Sequence, residues 1–258
     1  EELKLLRAIK QASEDTAADL IPTCLAAHLC PKDWKGSPSD YLTEIADQLF
    51  PVLLAENLCM RIAAFVEKSA FSPEEISPYL EKAKQMGFDL TIHADQFSCG
   101  GSAVAVRLGA RSADHLEASG EVEIQLLASS NTVAVALPGA SIGLGMAFTP
   151  ARKLLDQGAS VAIASDWNPG SAPMGDLLAQ ASILATFEKL TTAEVLAGIT
   201  FRAAAALGLS DRGKLTQGQM ADFILFPTSD YREILYQQGK MKPEGVWKRG
   251  MIVRSTMY

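Results

Sequence analysis

Short apolar segments alternate with helical patterns along the first 210 residues, and this alternation limits the folds open to the chain. Six of the segments predict strands, at residues 20–28, 61–67, 89–95, 112–116, 132–137 and 160–165. Strands that alternate with helices imply a parallel sheet, so an α/β fold is predicted. A closed (β/α)8 barrel needs eight strands, and a six-stranded sheet leaves two open edges. Either the sheet is open, or two further strands precede Glu1.

The pattern changes after residue 210. Residues 213–218, 221–226 and 246–253 predict short strands separated by turns, which is not another strand-helix unit. We therefore divide the chain into a (β/α) domain at 1–210 and a small β domain at 211–258.

Local signals predict several helix ends. Ser72 is followed by Pro73 and two acids, which is typical of a capped helix start. Residues 41–55 predict a helix interrupted at Pro51. Residues 192–207 predict a helix that begins with a capping box at Thr191.

Composition excludes several classes of protein. Hydrophobic residues make up 48% of the chain, enough for a sizeable core, and the net charge of −7 argues against a nucleic-acid binder. The sequence has no run of 18 apolar residues, so we expect no membrane span. Its four cysteines form no C-x-x-C pair, which fits a reduced, cytoplasmic protein.

The three histidines, His28, His93 and His115, each stand at the end of a predicted strand, and Asp166 ends a fourth. Barrel enzymes keep their catalytic residues at the carboxyl ends of the strands, so this placement favours an active site. A catalytic zinc takes about three protein ligands and keeps one position open for water. His93 and Asp166 are the best ligand candidates. His28 and His115 fit a metal or a substrate equally well.

Other polar residues near these ends are given different roles. Asp95, which follows His93, and Asp114, beside His115, are both expected to be structural. Glu67 is expected to support the site rather than to form it. The segment 168–171 fits a plain turn or a ligand contact equally well, and its substrate-binding candidates are Asn168, Gly170 and Ser171.

Five motifs occur in order: A-A-H-L-C-P at 26–31, H-A-D-Q-F-S at 93–98, L-G-A-R-S-A-D-H-L-E at 108–117, V-A-L-P-G-A at 135–140 and S-D-W-N-P-G-S at 165–171. With them the chain resembles the imidazolonepropionases of the amidohydrolase superfamily over nearly its whole length. Residues 213–223 resemble the superfamily's return to its β-sandwich. The resemblance implies a partial (β/α)8 TIM barrel, about strands three to eight, with part of a small β-sandwich domain at 211–258.

The resemblance also implies an activity and its residues. The family hydrolyses the cyclic amide 4-imidazolone-5-propanoate to N-formimidoyl-L-glutamate in histidine degradation. Carried over by motif, His93 and Asp166 would bind one zinc or iron ion per subunit, and Asp166 would also accept a proton from the attacking water. His115 would polarise the ring carbonyl or hold the substrate. His28 and Gln96 would contact the ring, and Gln96 is counted among the catalytic residues.

The chain departs from the superfamily in one respect. The first-strand H-x-H pair, which supplies two further metal ligands, is absent, as are the arginine and tyrosine that the family uses for the propanoate carboxylate. We therefore expect the remaining metal ligands upstream of residue 1. On this interpretation the chain is the C-terminal part of an enzyme and is inactive as this fragment alone.

Two other functions stay open. A related mononuclear deaminase acting on another small heterocycle would carry a glutamate three residues after the strand-five histidine, where this chain has Gln96, which cannot transfer a proton as a carboxylate does. A non-catalytic, metal-free relative would have no need of strand-end histidines. The partner expected is a small-molecule substrate, with no nucleic acid and no membrane, and a homodimer stays open.

Overall fold

The computed structural model describes residues 1–255. They belong to two compact units, Glu1–Thr132 and Val133–Tyr258. Both units contain parallel strands followed by helices, and the second also carries an antiparallel sheet.

The first unit alternates helices and strands. Its elements are α1 (Glu2–Asp15), β1 (Cys24–Ala27), α2 (Pro38–Ala55), β2 (Arg61–Val66), α3 (Pro73–Gln85), β3 (Asp89–Ala94), α4 (Gly101–Leu108), β4 (Ser112–His115) and α5 (Glu121–Ala128). Strands β1 to β4 are parallel neighbours in chain order. Parallel neighbours need a crossover connection, which α2, α3 and α4 supply.

The two faces of these strands differ in chemistry. Ile62, Ala64 and Ile92 share one face and are inaccessible to solvent. Because side chains alternate along a strand, the polar residues of β3 and β4 share the other face. The register pairs Thr91 with Ser112 there, so a polar layer lies among the strands themselves.

Sequence signals set two of the helix starts. Ser37 and Ser72 are N-caps with complete capping boxes for α2 and α3, so the predicted start at Ser72 is confirmed. The predicted interruption at Pro51 is wrong, since α2 continues through it to its end. Phe50 and Leu53 on either side of the proline are fully buried, and this tertiary packing outweighs the local preference.

The second unit continues the alternation with shorter elements: β5 (Val133–Ala136), α6 (Pro138–Leu144), α7 (Ala151–Asp156), β6 (Val161–Ile163), α8 (Leu177–Glu188), α9 (Thr192–Gly198) and α10 (Phe201–Ala206). Strands β5 and β6 are parallel, and Val135, Leu137 and Ala162 belong to the core cluster around them. The single helix predicted at 192–207 is wrong. Thr200 takes a non-helical backbone, with φ −123° and ψ −103°, and this separates α9 from α10.

The last part of the described chain forms an antiparallel sheet. Its strands are β7 (Phe223–Leu225), β8 (Gly245–Lys248) and β9 (Met251–Ser255), with α11 (Glu233–Tyr236) between the first two. It confirms the small C-terminal β segment, although residues 213–218 form turns and not the predicted strand. The domain boundary at 210 stays a prediction.

The parallel strands with alternating helices confirm the predicted class, a partial (β/α)8 barrel. The helices within residues 1–255 include none that is both long and apolar enough to span a bilayer.

Candidate active site

Four aromatic rings form a cluster at the carboxyl ends of the strands in the first unit, and the ring centroids of His28 and His93 are 6.3 Å apart. His28 follows β1 directly, and the β2–β3 register places Phe65 beside His93. The ring centroids of His28 and Phe65 are 5.4 Å apart, those of Phe65 and His93 6.1 Å, and those of His93 and His115 5.3 Å. The structure thus brings all three predicted histidines together.

His115 joins this cluster because its backbone departs from the regular strand conformation. The β3–β4 register pairs His93 with Asp114, so regular alternation would place His115 on the opposite face. His115 and the following Leu116 have φ values of 81° and 70°, in the left-handed region. With this turn His115 Nε2 lies 3.3 Å from His93 Nδ1, so one ring donates a hydrogen bond to the other.

The environment keeps His93 neutral. Burial, followed by the neighbouring rings of His115 and His28, lowers the pKa of His93 to about 3. His115 is only 3% exposed, and its Nδ1 lies 3.8 Å from Oε2 of Glu117. A neutral imidazole offers the lone pair that a metal ion binds.

Glu67 and Asp95 hold the loop that follows β3. Glu67 accepts hydrogen bonds from the backbone N–H groups of Lys68, Phe97 and Ser98 at 2.8 to 3.0 Å, and from the Ser98 hydroxyl. Burial raises the pKa of Glu67, but these hydrogen bonds outweigh it and the net shift is downward. The carboxylate thus supports the site by fixing this loop, in agreement with the sequence interpretation.

Asp95 lies fully buried beneath the same loop and accepts from the N–H groups of Gly100 and Ser102 and from the Ser119 hydroxyl. Next to it, Gln96 is 8% exposed, and within residues 1–255 its side chain makes no hydrogen bond. A buried amide of this kind is available to a ligand.

Asp114 belongs to the polar layer below His93. Its Oδ2 accepts a hydrogen bond from Thr91 Oγ1 at 2.9 Å, and Thr91 Oγ1 lies 2.5 Å from Ser112 Oγ. Burial raises the pKa of Asp114. These contacts support the structural role expected for Asp114.

Asp166 stands in the second unit, just after β6, with φ of 48°. The Asn168 amide nitrogen donates to the Asp166 carbonyl oxygen at 2.7 Å and reaches its carboxylate Oδ2 at 3.3 Å. The Asn168 amide oxygen accepts from the N–H groups of Gly170 and Ser171, both at 2.8 Å. Asn168 therefore closes the turn and holds the Asp166 carboxylate, and its own amide is occupied in doing so.

One motif was missed by the sequence reasoning. Gly139-Ala140-Ser141-Ile142-Gly143 has the G-x-S-x-G spacing of a serine hydrolase nucleophile elbow. A nucleophile elbow exposes its serine at a sharp turn, whereas Ser141 lies inside α6 and is 1% exposed. The motif therefore does not carry a nucleophile here.

The candidate ligand atoms are of chemical types that bind a metal ion. Imidazole nitrogen and carboxylate oxygen are zinc ligands, and His93 and Asp166 offer one of each. Across residues 1–255 the side chains include no cluster of three or more His, Cys, Asp or Glu residues placed to hold an ion.

The sequence matches the amidohydrolase family over residues 4–253. Among curated relatives, the imidazolonepropionase of Deinococcus deserti is 43% identical over 232 residues, which are 90% of this chain and 57% of the relative. The imidazolonepropionase of Erwinia tasmaniensis is 40% identical over 252 residues, 96% of this chain and 62% of the relative. The chain thus spans less than two thirds of the length of these relatives.

Solved structures share the fold. An adenosine deaminase from Xanthomonas campestris with bound zinc superposes with a TM-score of 0.75 at 19% identity, over 97% of this chain and 64% of that one. An atrazine chlorohydrolase from Arthrobacter aurescens complexed with zinc gives 0.74 at 16% identity, over 98% and 66%. At these identities the likeness concerns the fold alone.

Proposed function

The chain belongs to the amidohydrolase family, and on that premise we propose that the protein hydrolyses 4-imidazolone-5-propanoate to N-formimidoyl-L-glutamate in histidine degradation. Water adds to the ring carbonyl carbon, the ring carbon–nitrogen bond breaks, and the departing nitrogen takes a proton. Relatives at 40% and 43% identity carry the name imidazolonepropionase. The observation that carries the proposal is the contact between neutral His93 and His115 at the strand ends.

The proposal includes one zinc or iron ion per subunit, held by His93 and Asp166. Two features support this choice: burial keeps the His93 imidazole neutral, and Asn168 orients the Asp166 carboxylate. The remaining ligands would come from the part of the relatives that this chain does not match. A bound divalent ion would supply Lewis acidity to the carbonyl and lower the pKa of the attacking water.

Asp166 would transfer the proton, and His115 would orient the substrate. Asp166 would accept a proton from the attacking water and return it to the departing ring nitrogen. His115 would donate a hydrogen bond to the ring carbonyl. Its buried position between His93 and Glu117 supports this role, because both neighbours restrict the orientation of the ring.

The other candidates would bind the planar ring. His28 is the exposed histidine of the ring cluster, and Gln96 has an amide without a hydrogen-bond partner within the described chain. Gly170 and Ser171 would contact the substrate through the turn that Asn168 closes. Asn168 itself would act mainly through Asp166, since its amide is engaged.

The test is loss of 4-imidazolone-5-propanoate, measured by its ultraviolet absorbance, with the gene product that contains this chain and with the 258-residue chain. We expect turnover by the former that needs a divalent ion and falls at least ~100-fold in Asp166→Asn. Asp15→Asn, at the exposed end of α1, is the matched control and should leave turnover unchanged.

Other outcomes would redirect the proposal. Metal binding with turnover of a different heterocycle would favour the deaminase, and absence of both metal and turnover would favour a non-catalytic relative. Clear turnover by the 258-residue chain would contradict the interpretation that it is inactive alone.

Location and assembly complete the proposal. We place the protein in the cytoplasm, supported by the four cysteines, all of them free thiols. We also propose a homodimer, supported by the exposed apolar residues of β7 and β9.

A further inference from the structure

The loop that carries Asp166 rests on one face of helix α6. A Cβ atom built on Gly143 would overlap the carbonyl oxygen of Ser171, and one built on Gly139 would lie 2.8 Å from the carbonyl oxygen of Ser165. The two glycines are four residues apart, so they share a helix face. The two ends of the segment 165–171 therefore approach α6 at positions where no side chain fits.

Gln180 on α8 also packs against α6, next to Gly139. It is fully buried, and both of its amide atoms lie 2.8 Å from the position of a Gly139 Cβ. Its Nε2 donates a hydrogen bond to the carbonyl oxygen of Met174, just beyond the loop. Gln180 thus touches α6 and the chain that leaves the Asp166 turn.

Only one of the two polar atoms in the Gln180 side chain is hydrogen-bonded, so burial of the amide costs stability. Its Oε1 is buried and, within residues 1–255, accepts no hydrogen bond. An unsatisfied buried acceptor costs on the order of 1–3 kcal/mol, and an apolar side chain would avoid that cost. We therefore look for the role of this amide in its contacts with α6 and with the loop, and not in the stability of the core.

We propose that Gly139, Gly143 and Gln180 form a seat for the segment 165–174 and so position the Asp166 carboxylate. This inference rests on the proposed role of Asp166. The seat residues are positioning residues that act through the loop. A displacement of the carboxylate by about 1 Å is enough to slow a proton transfer by orders of magnitude.

The first test reads the geometry of the loop without any assay of turnover. Trp167 follows Asp166, is 74% exposed, and lies 3.5 Å from the position of a Gly175 Cβ. In protein labelled with 5-fluorotryptophan, Trp167→Phe assigns its ¹⁹F resonance. We expect Gln180→Met, which keeps the length of the side chain but removes the amide, and Gly143→Ala to shift or broaden that resonance while Trp34 and Trp247 stay unchanged.

The matched control is Gly198→Ala. Gly198 lies in α9, and its Cβ would lie 3.2 Å from the side chain of Ile163 on β6 rather than against the loop. It should leave the Trp167 resonance in place. An unshifted Trp167 in Gln180→Met would overturn the seat, even where Gly143→Ala fails to fold.

The second test uses the active holoenzyme. We expect Gln180→Met to lower kcat about ten-fold or more with KM within about two-fold, since positioning of the carboxylate affects the chemical step. Gly198→Ala should keep both constants. A Trp167 shift with unchanged kcat would overturn the positioning role. If the wild-type holoenzyme does not hydrolyse imidazolonepropanoate, the proposed function is wrong. The ¹⁹F result still decides whether Gly139, Gly143 and Gln180 hold the loop.

Discussion

Half of the non-glycine residues with a positive φ in the described part of the chain lie at or beside the candidate site. Asp95, His115, Leu116 and Asp166 all have φ between 48° and 81°, although none of them is glycine. Each such residue costs on the order of 1–3 kcal/mol, and proteins keep this strain mainly at functional sites. At His115 the strained backbone brings the ring to His93, and at Asp166 it begins the turn that Asn168 closes.

The carboxylate of Glu67 is expected to fix the conformation of the loop after β3. Glu67→Gln keeps the shape but turns one acceptor oxygen into a donor, which faces N–H groups of the chain. We expect a loss of about 1–3 kcal/mol in the free energy of unfolding. Amide hydrogen exchange should quicken at Phe97 and Ser98 in particular.

Glu74→Gln is the control for this prediction. Glu74 lies in the first turn of α3 and is exposed, so its replacement should leave exchange at Phe97 and Ser98 unchanged. Equal protection of these two amides in Glu67→Gln and the wild type would show that the backbone, and not the carboxylate, fixes the loop.

At the scale of elements, one ion pair connects α7 to α9. Arg152 donates to both carboxylate oxygens of Glu194 at 2.9 and 3.0 Å, and Glu194 also closes the capping box of α9. The Arg152 guanidinium lowers the pKa of Glu194 to about 2. Because the folded pKa lies below the unfolded value, this stabilisation is present above about pH 4.5 and is lost as the pH falls toward 2.

Glu194→Gln should therefore lower the free energy of unfolding at pH 7 by about 1–2 kcal/mol and by almost nothing near pH 2. Urea unfolding at both pH values measures the difference. The control is Asp230→Asn: the pKa of Asp230 is also lowered to about 2, by Arg232, but that pair is exposed and two residues apart. A smaller effect is expected there, and equal effects in both variants would contradict the coupling of the helices.

The sequence predicted the alternation of elements and the strand-end placement of the three histidines because both follow from short-range patterns. It also predicted the cap at Ser72, which depends on neighbours three residues apart. It could not predict that His115 would turn back to His93, because simple alternation assigns that face to Asp114. The contacts of Gly139 and Gly143 were likewise hidden, since they join segments distant in sequence.

At the scale of the whole molecule, the antiparallel sheet stands out by its exposed apolar residues. Phe223, Ile224 and Leu225 on β7 and Met251, Ile252 and Val253 on β9 are between 36% and 74% exposed. Both strands are outer strands of the sheet, with β8 between them. Exposed apolar residues on outer strands favour association with another chain.

The 258-residue chain is therefore expected to self-associate as its concentration rises, and Ile224→Lys should weaken that association. Ile224 is 55% exposed on β7, so a lysine there opposes burial without loss of a core contact. Sedimentation velocity over a concentration series measures the effect. Leu215→Lys is the control, because Leu215 is 78% exposed on a turn outside the sheet. Equal weakening by both substitutions would point to a general effect of charge, and association unchanged by Ile224→Lys would place the contact on another surface.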